Sequence, residues 1–423
     1  MVKQSNYSIY YKTTKGLVIK CAAIQLVENE TRQLVQVGFT YHDDFLDAKL
    51  AAIDPFHLPL SNELIVLNCD REAPGFLDDL MPDKWGKTVL SRLHNFGHQM
   101  QPCTSEILDV LGHSTIGALS IAPLGNLPKT YGLGCKKESI SQLQTVAKKL
   151  ETGTLTNEEI ELYKLSMFAR GSSAIGGARP KVMVYDEITD NNLVGYIAKF
   201  SKNDDQFSYA RVEKSCLDVI ANAGFSVSES FVENIDGKDI LFSKRFDLPV
   251  NYIQQKTNAV QGRYHQATMN AFLKEKNTQR DLAYSSYDRF VKIISKISID
   301  PAKDNQQIFA QMIFNVIFNN TDDHLRNFSF SCNEQGWFLS PAYDVVPSLT
   351  LGQYHQSRLG YRDILPRLNQ SVEYHKLFNL TKPAAKKIAH RILDTVAQIK
   401  VIFDDNGVSQ EDWQLISPIF KTR

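Results

Sequence analysis

The chain has 423 residues, more than one ordinary hydrophobic core accommodates, so two domains or two lobes with a cleft are expected. Hydrophobic residues make up 43% and charged residues 22%, the balance of a soluble globular protein. Lys plus Arg (47) equals Asp plus Glu (47), which argues against a dedicated nucleic-acid binder, because phosphate binding needs an excess of positive charge on some face.

Six cysteines are scattered along the chain with no C-x-x-C pair, which excludes zinc ribbons and thioredoxin-like redox motifs. Such cysteines read as reduced, mostly buried thiols of a cytoplasmic protein. The first residues, MVKQSNYSIYYKTTKG, lack the apolar core of a signal peptide, and no apolar run is long enough to span a bilayer.

In chain order, the first half is rich in short strand-like runs: LVIKCAAIQLV (17–27), LVQVGFTY (34–41) and ELIVLNC (63–69). Helices are predicted over 76–96 and 139–151, the second from Ile140, Leu143, Val146 and Leu150 at helical spacing. Next come a glycine-rich loop, a strand from Val182 to Tyr185, a polar turn and a strand from Val194 to Phe200. A helix follows over 209–225, with Gly224 where a C-cap glycine belongs. DILFSKRFDLP (239–249) reads as a strand ended by proline. The polar segment 251–283 reads as a long connection with one short helix. Beyond it, 287–297, 305–320 and 382–403 have helical periodicity, and Pro383 suits the first turn of the last. The expected class is α+β, with a β-rich part over 1–249 (about 1–100 and 101–249 as sub-parts) and an all-helical part over 250–423.

Phosphoryl transfer needs a glycine-rich backbone over the phosphates, a lysine to neutralise them, an acid beside the attacking hydroxyl, and acid or amide oxygens for magnesium. Candidates occur in that order. The loop GSSAIGGARPK (171–181) lets backbone N–H groups approach phosphate oxygens, and Arg179 and Lys181 add charge; the plain alternative is a hairpin turn. Lys199, in YIAKF, sits among apolar residues on a strand, with Glu213 as a partner on the next helix; the alternative is an edge lysine pointing to water. In NNTDDHLRNFS (319–329), Asp322 and Asn327 have the D-x-x-x-x-N spacing of a kinase catalytic loop, with His324 and Arg326 between. An acid with a pKa near ~3.9 orients a hydroxyl better than it deprotonates one. A helix end followed by a turn would also suit this run, although acids at a helix C-terminus oppose its dipole. Asp344 in LSPAYDVVP (339–347) follows a short strand, where a second magnesium ligand sits in kinase-like folds; otherwise it starts a turn.

These segments resemble the HipA family, the serine/threonine kinase toxins of bacterial toxin–antitoxin modules. The likeness rests on GGARPK (176–181), YIAKF (196–200), FSKRFD (242–247), NNTDDHLRNFSF (319–330) and LSPAYDVVPS (339–348), with FTYHDDFLDA (39–48) and PGFLDDLMPDKWGKTVL (74–90) similar to the family's N-terminal region. The resemblance implies a two-lobed protein-kinase-like fold that uses ATP and Mg2+. It implies Asp322 as the catalytic acid, Asn327 and Asp344 as magnesium ligands, and Lys199 on the ATP phosphates. Ile175, Gly176, Gly177, Ala178, Arg179 and Lys181 would cover the phosphates, and Lys244, Arg245, Phe246 and Asp247 would form the hinge against adenine and ribose. His324 is counted with the nucleotide-binding residues. The implied substrate is a protein such as an aminoacyl-tRNA synthetase. The implied partner is a small helix-turn-helix antitoxin, through which any contact with DNA would be indirect. One departure stands out: where the family often carries a regulatory serine in the glycine loop, this chain has Ala174, preceded by Ser172 and Ser173.

Other readings remain on the residues alone. A nucleotide-binding co-repressor without catalysis would not need Lys199, Asp322, Asn327 and Asp344 together. A metal-dependent phosphohydrolase built on Asp322, Asp323, His324 and Asp344 would need further histidines, and His57, His265 and His355 lack ligand spacing. A small-molecule kinase would carry the same phosphate-handling parts.

Overall fold

The computed structural model describes residues 2–420 apart from 71, 83–85, 88–89, 91–101, 113–114, 129–134, 153–154, 157, 160–178, 190–191, 250–261, 275–284, 350–353 and 363. The chain forms two compact units, and neither is one continuous stretch. The first comprises Met1–Lys199, Lys244–Asp281 and Ser331–Gly336; the second comprises Phe200–Ser243, Leu282–Phe330 and Trp337–Arg423.

The first unit opens on an antiparallel sheet of β1 (Lys3–Lys12), β2 (Val18–Glu28), β3 (Leu34–Tyr41), β4 (Ile65–Asn68) and β5 (Leu119–Pro123), in the order β4-β3-β2-β1-β5. Alternation explains β2: Ala22, Ile24 and Leu26 are buried while Ala23 and Gln25 face out. The interior strand β1, between β2 and β5, is missing from the sequence-based expectations, because its inward residues are Tyr7, Ile9 and Tyr11 and its apolar signal is diluted by serine and asparagine. A helix, α1 (Thr104–Leu111), buries Ile107, Leu108 and Leu111 in the same core.

The expected helix over 76–96 starts as one turn, Gly75–Asp78, breaks at 79–82 and is helical again at 86–87 and 90, and most of the remainder lies outside the described residues. That turn packs so closely that a Cβ on Gly75 would sit 2.3 Å from the carbonyl oxygen of Ala271. Gly75→Ala is expected to lower stability by about 1–3 kcal/mol, because the clash is with backbone rather than with a mobile side-chain tip. A drop in thermal midpoint would show this, and an unchanged midpoint would refute it.

The helix expected at 139–151 is α2 (Ile140–Thr152), and the two strands expected after the glycine loop are β7 (Lys181–Thr189) and β8 (Asn192–Lys199), an antiparallel hairpin. A two-residue strand, β6 (Cys135–Lys136), pairs parallel to β7. None of the six cysteines is disulfide-bonded, and all but Cys69 are buried.

The second unit begins with α3 (Tyr209–Asn222), followed by Gly224 at φ +79° as the C-cap pattern requires. The hairpin of β9 (Ser230–Ile235) and β10 (Lys238–Lys244) comes next. The strand expected over 239–249 stops at Lys244, five residues short of the proline, because Arg245 and Asp247 turn inward and pair with each other. The polar stretch after 250 contains the expected short helix, Met269–Leu273, and also a strand, β11 (His265–Thr268).

The part beyond residue 250 is therefore not all-helical. It also carries β12 (Ser329–Asn333), too short and too polar to stand out by periodicity, and β13 (Gly336–Leu339), the short strand expected just before the Asp344 loop. The helices α4 (Tyr287–Ile297) and α5 (Pro301–Phe318) match expectation, except that α5 starts earlier, at Pro301 with Asp300 as its N-cap. The expected single helix over 382–403 is two: α6 (Lys382–Val396) and α7 (Ile399–Asp405). The break at Ala397 and Gln398 re-aims the apolar stripe, so that Ile392 and Val396 before it and Ile402 and Phe403 after it are all buried. No helix among the described residues is long and apolar enough to cross a membrane.

Candidate active site

The site of the second unit is built on the end of α5. From Gln307 to Phe318 this helix is buried on every side, the mark of a core helix, and among the polar side chains it carries there Gln307 and Asn315 are hydrogen-bonded. Its first turn is fixed by Asp304, whose Oδ2 accepts Ser298 Oγ at 2.6 Å and the backbone N–H of Leu339 at 2.9 Å. Its last turn closes on Asn319, in the left-handed region at φ +53°. Asparagine does there what glycine could not: its Nδ2 donates to Ser348 O at 2.9 Å, while Ser348 N donates to Asn319 O at 3.0 Å.

Beyond that cap the chain closes a small ring on itself. The carbonyl of Asp322 accepts the N–H of His324 (2.9 Å) and Nδ2 of Asn327 (2.7 Å), and Asn327 N donates to His324 O (2.9 Å). The spacing between Asp322 and Asn327 is thus a closed turn, with a 3-10 segment at Leu325–Asn327. The amide nitrogen of Asn327 is used inward, which leaves its Oδ1 as the atom suited to a cation. Nδ1 of His324 is buried without a hydrogen-bond partner.

The loop carrying Asp344 is held from both sides. Ala342 exchanges backbone hydrogen bonds with the 226–228 segment (Ser228 N to Ala342 O, 2.8 Å; Ala342 N to Ser226 O, 3.0 Å). Gln307 of α5 grips Ser226 through both ends of its amide, each at 2.9 Å. Tyr343 donates its hydroxyl to Arg326 O at 2.6 Å. Between these ties Asp344 has φ +58°, a strained conformation that costs about 1–3 kcal/mol and persists only where the surroundings over-determine it.

Asp322 and Asp344 are close enough to sense each other's charge. Asp322 reaches solvent, yet partial burial, which desolvates its charged form, raises its pKa above the ordinary carboxylate value. His324 offsets part of that rise, Asp344 adds to it by repulsion, and a hydrogen bond from Gln356 Nε2 to Asp322 Oδ1 (2.7 Å) offsets part again. The Asp344 carboxylate and the amide oxygen of Asn327 are oxygen donors, the kind that Mg2+ takes. Among the described residues no group of three or more His, Cys, Asp or Glu gathers in metal-binding reach.

The second acid of the pair, Asp323, points the other way and is fully buried. Its Oδ2 accepts the hydroxyl of Tyr287 (3.0 Å) and faces His355 Nδ1 (3.4 Å), and its Oδ1 accepts Ser357 N (3.1 Å). Tyr287 in turn accepts from Asn315 Nδ2, and Asn315 Oδ1 accepts from Asn320 Nδ2, each at 3.0 Å. Burial pushes the Asp323 carboxyl up, and His355 and these hydrogen bonds offset part of the rise. Sequence reasoning placed Asp323 only among possible metal ligands and did not single out Tyr287, Gln356 or Ser357. Their partners lie far apart along the chain, so no local spacing could have revealed them.

The remaining predicted residues lie in the first unit. Lys181 and Lys199 stand directly opposite each other on the β7–β8 hairpin, on one face, and Lys181 is only 2% exposed. Arg179 is partly buried, whereas Ile175, Gly176, Gly177 and Ala178, together with Ser172, Ser173 and Ala174, lie outside the described residues. Lys244 and Phe246 are partly exposed. Asp247 is turned inside: Oδ1 accepts Arg245 Nε (2.8 Å), and Oδ2 accepts Arg245 Nη2 (2.5 Å) and Gly117 N (3.0 Å), with Arg263 Nη1 4.0 Å away.

With this geometry in hand, comparison with known proteins is decisive. Residues 173–400 match the HipA-like C-terminal domain and residues 23–122 the HipA N-terminal domain. The chain belongs to the HipA family. Among its relatives is a candidate kinase of Sinorhizobium fredii, Y4mE, 22% identical over 78% of this chain and 74% of that protein. Another is a candidate kinase of Haemophilus influenzae, 27% identical over 49% of this chain and 62% of that protein. The HipA of Shewanella oneidensis, solved with HipB and operator DNA, superposes with a TM-score of 0.65 over 99% of this chain and 95% of its own. At 16% identity that likeness is one of fold.

Proposed function

We propose that this HipA-family protein is an ATP-dependent kinase that phosphorylates a serine or threonine hydroxyl of another protein. One observation carries the reading: the closed Asp322–Asn327 turn with Asp344, in strained backbone, close enough for its charge to act on Asp322. Asp322 orients the acceptor hydroxyl. The hydroxyl oxygen bonds to the γ-phosphorus of ATP, and the bond from that phosphorus to the β–γ bridging oxygen breaks with its electron pair leaving on ADP. The hydroxyl proton passes to Asp322. Asn327 Oδ1 and Asp344 would hold Mg2+, which supplies charge neutralisation on the phosphates. Lys181 and Lys199, paired on one face of their hairpin, would bind phosphate oxygens. Lys244, Phe246 and His324 would contact the nucleotide.

The substrate class that accompanies this reading is a cytoplasmic protein such as an aminoacyl-tRNA synthetase. Its partner is a small helix-turn-helix antitoxin, by analogy with the HipB and operator DNA bound to the Shewanella protein. The test uses γ-labelled ATP and a bacterial extract freed of its own kinases. Labelled protein bands are expected with Mg2+ and none after chelation with EDTA. An Asp344→Ala variant should match the chelated sample. Absence of label in every lane, with Mg-ATP still bound, would remove the kinase reading.

A further inference from the structure

Residues 354–359 form an extended strap beside the catalytic turn. Exposure alternates strictly: Tyr354, Gln356 and Arg358 face out, while His355, Ser357 and Leu359 are buried. The strap is pinned by its backbone, with Arg358 N donating to Ser285 O (2.9 Å) and Tyr287 N to Arg358 O (2.9 Å). Its inward serine is pinned as well. Ser357 donates N–H to Asp323 Oδ1 and its hydroxyl to the Asp323 carbonyl, and its Oγ lies 2.6 Å from Ser285 Oγ. The two adjacent acids are therefore held by two adjacent strap residues: Asp323 inside by Ser357, and Asp322 outside by Gln356 at 2.7 Å.

We propose that Gln356 is a positioning residue for phosphoryl transfer, its amide fixing the Asp322 carboxylate through Oδ1 so that Oδ2 is the oxygen turned toward the acceptor hydroxyl. The inference rests on Asp322 being the acid of the kinase proposed above. An exposed aspartate otherwise rotates freely, and each misplaced rotamer withdraws the acid from the reacting hydroxyl. A neutral donor suits the task, because a lysine or arginine in that place would hold the carboxylate in an ion pair and compete with the acceptor for it. The strap that carries Gln356 is locked to the turn that carries Asp322, so the two move as one body. The alternation that buries Ser357 is what puts Gln356 on the open side.

The test compares wild type with Gln356→Met, which keeps length and loses the donor, and Gln356→Glu, which sets a like charge against Asp322. Transfer of label from Mg-ATP to the kinase-depleted extract is measured across ATP concentrations, with Asp322→Asn as the floor. Gln356→Met is expected to lower kcat roughly ten- to hundredfold, the range of one hydrogen bond to a charged group. Its KM for ATP should stay within about twofold and its thermal midpoint should not move, since the side chain is exposed. Gln356→Glu should fall further. A Gln356→Met variant with wild-type kcat, or one altered only in KM, overturns the role of Gln356 and leaves the kinase reading standing. Wild-type labelling no higher than that of Asp322→Asn overturns both.

Discussion

Replacing Asp322 with asparagine is expected to reduce phosphoryl transfer by about 10³-fold while ATP binding and fold are kept. The amide has the shape of the acid and preserves an Oδ1 for Gln356 to bond, and the ring to Asn327 uses the backbone carbonyl rather than the side chain. What it lacks is a site for the hydroxyl proton. Stability should not fall. The folded-state pKa of Asp322 is raised, so its charge costs free energy in the native state at neutral pH, and a neutral isostere relieves that cost. The paired measurement is single-turnover transfer beside thermal unfolding and nucleotide titration. Loss of transfer, nucleotide affinity and thermal midpoint together would mean that Asp322 holds structure rather than chemistry.

Replacing Asp247 with alanine is expected to do the opposite, lowering stability by about 3–5 kcal/mol. Its carboxylate is buried between Arg245 and Arg263 and also takes the N–H of Gly117, so truncation removes the countercharge that two buried guanidinium groups share. Burial alone would raise its pKa; Arg245 first and Arg263 next reverse this and hold it below the ordinary value. The sign follows by linkage. A depressed folded pKa stabilises the protein above the unfolded value, near ~3.9, and that contribution disappears as pH falls through the folded value. Wild type should therefore lose stability below about pH 4 more steeply than the Asp247→Ala variant, in urea midpoints taken across pH. A variant as stable as wild type but weak in nucleotide binding would return Asp247 to the hinge role that its motif suggests.

Much of the candidate site was legible because it is local. The acid, the amide and the turn that joins them lie within NTDDHLRN, and PAYDVVP carries the second acid on a loop of its own. A motif of this kind survives without knowledge of what surrounds it, since its spacing is set by one turn of backbone. The α4 and α5 helices were legible for a similar reason: long apolar periodic runs leave a strong signal in sequence. The short strand β13 was legible too, from its apolar Trp337, Phe338 and Leu339, but β12 and the break between α6 and α7 were not, because each depends on what packs against it rather than on its own pattern.

The sharpest division falls between the neighbours Asp322 and Asp323. By itself the sequence determined that this chain carries a kinase-like set of acids, amides and lysines in HipA order. It could not say which of two adjacent carboxylates faces out. Only the tertiary structure decided that Asp323 goes inside to Tyr287 and Ser357 and Asp322 outside to Gln356. It likewise turned Asp247 into a buried ion pair. The physical reason is the same in both cases: a carboxylate enters the interior only where hydrogen-bond donors from distant parts of the chain converge on it, and that convergence is a property of the fold.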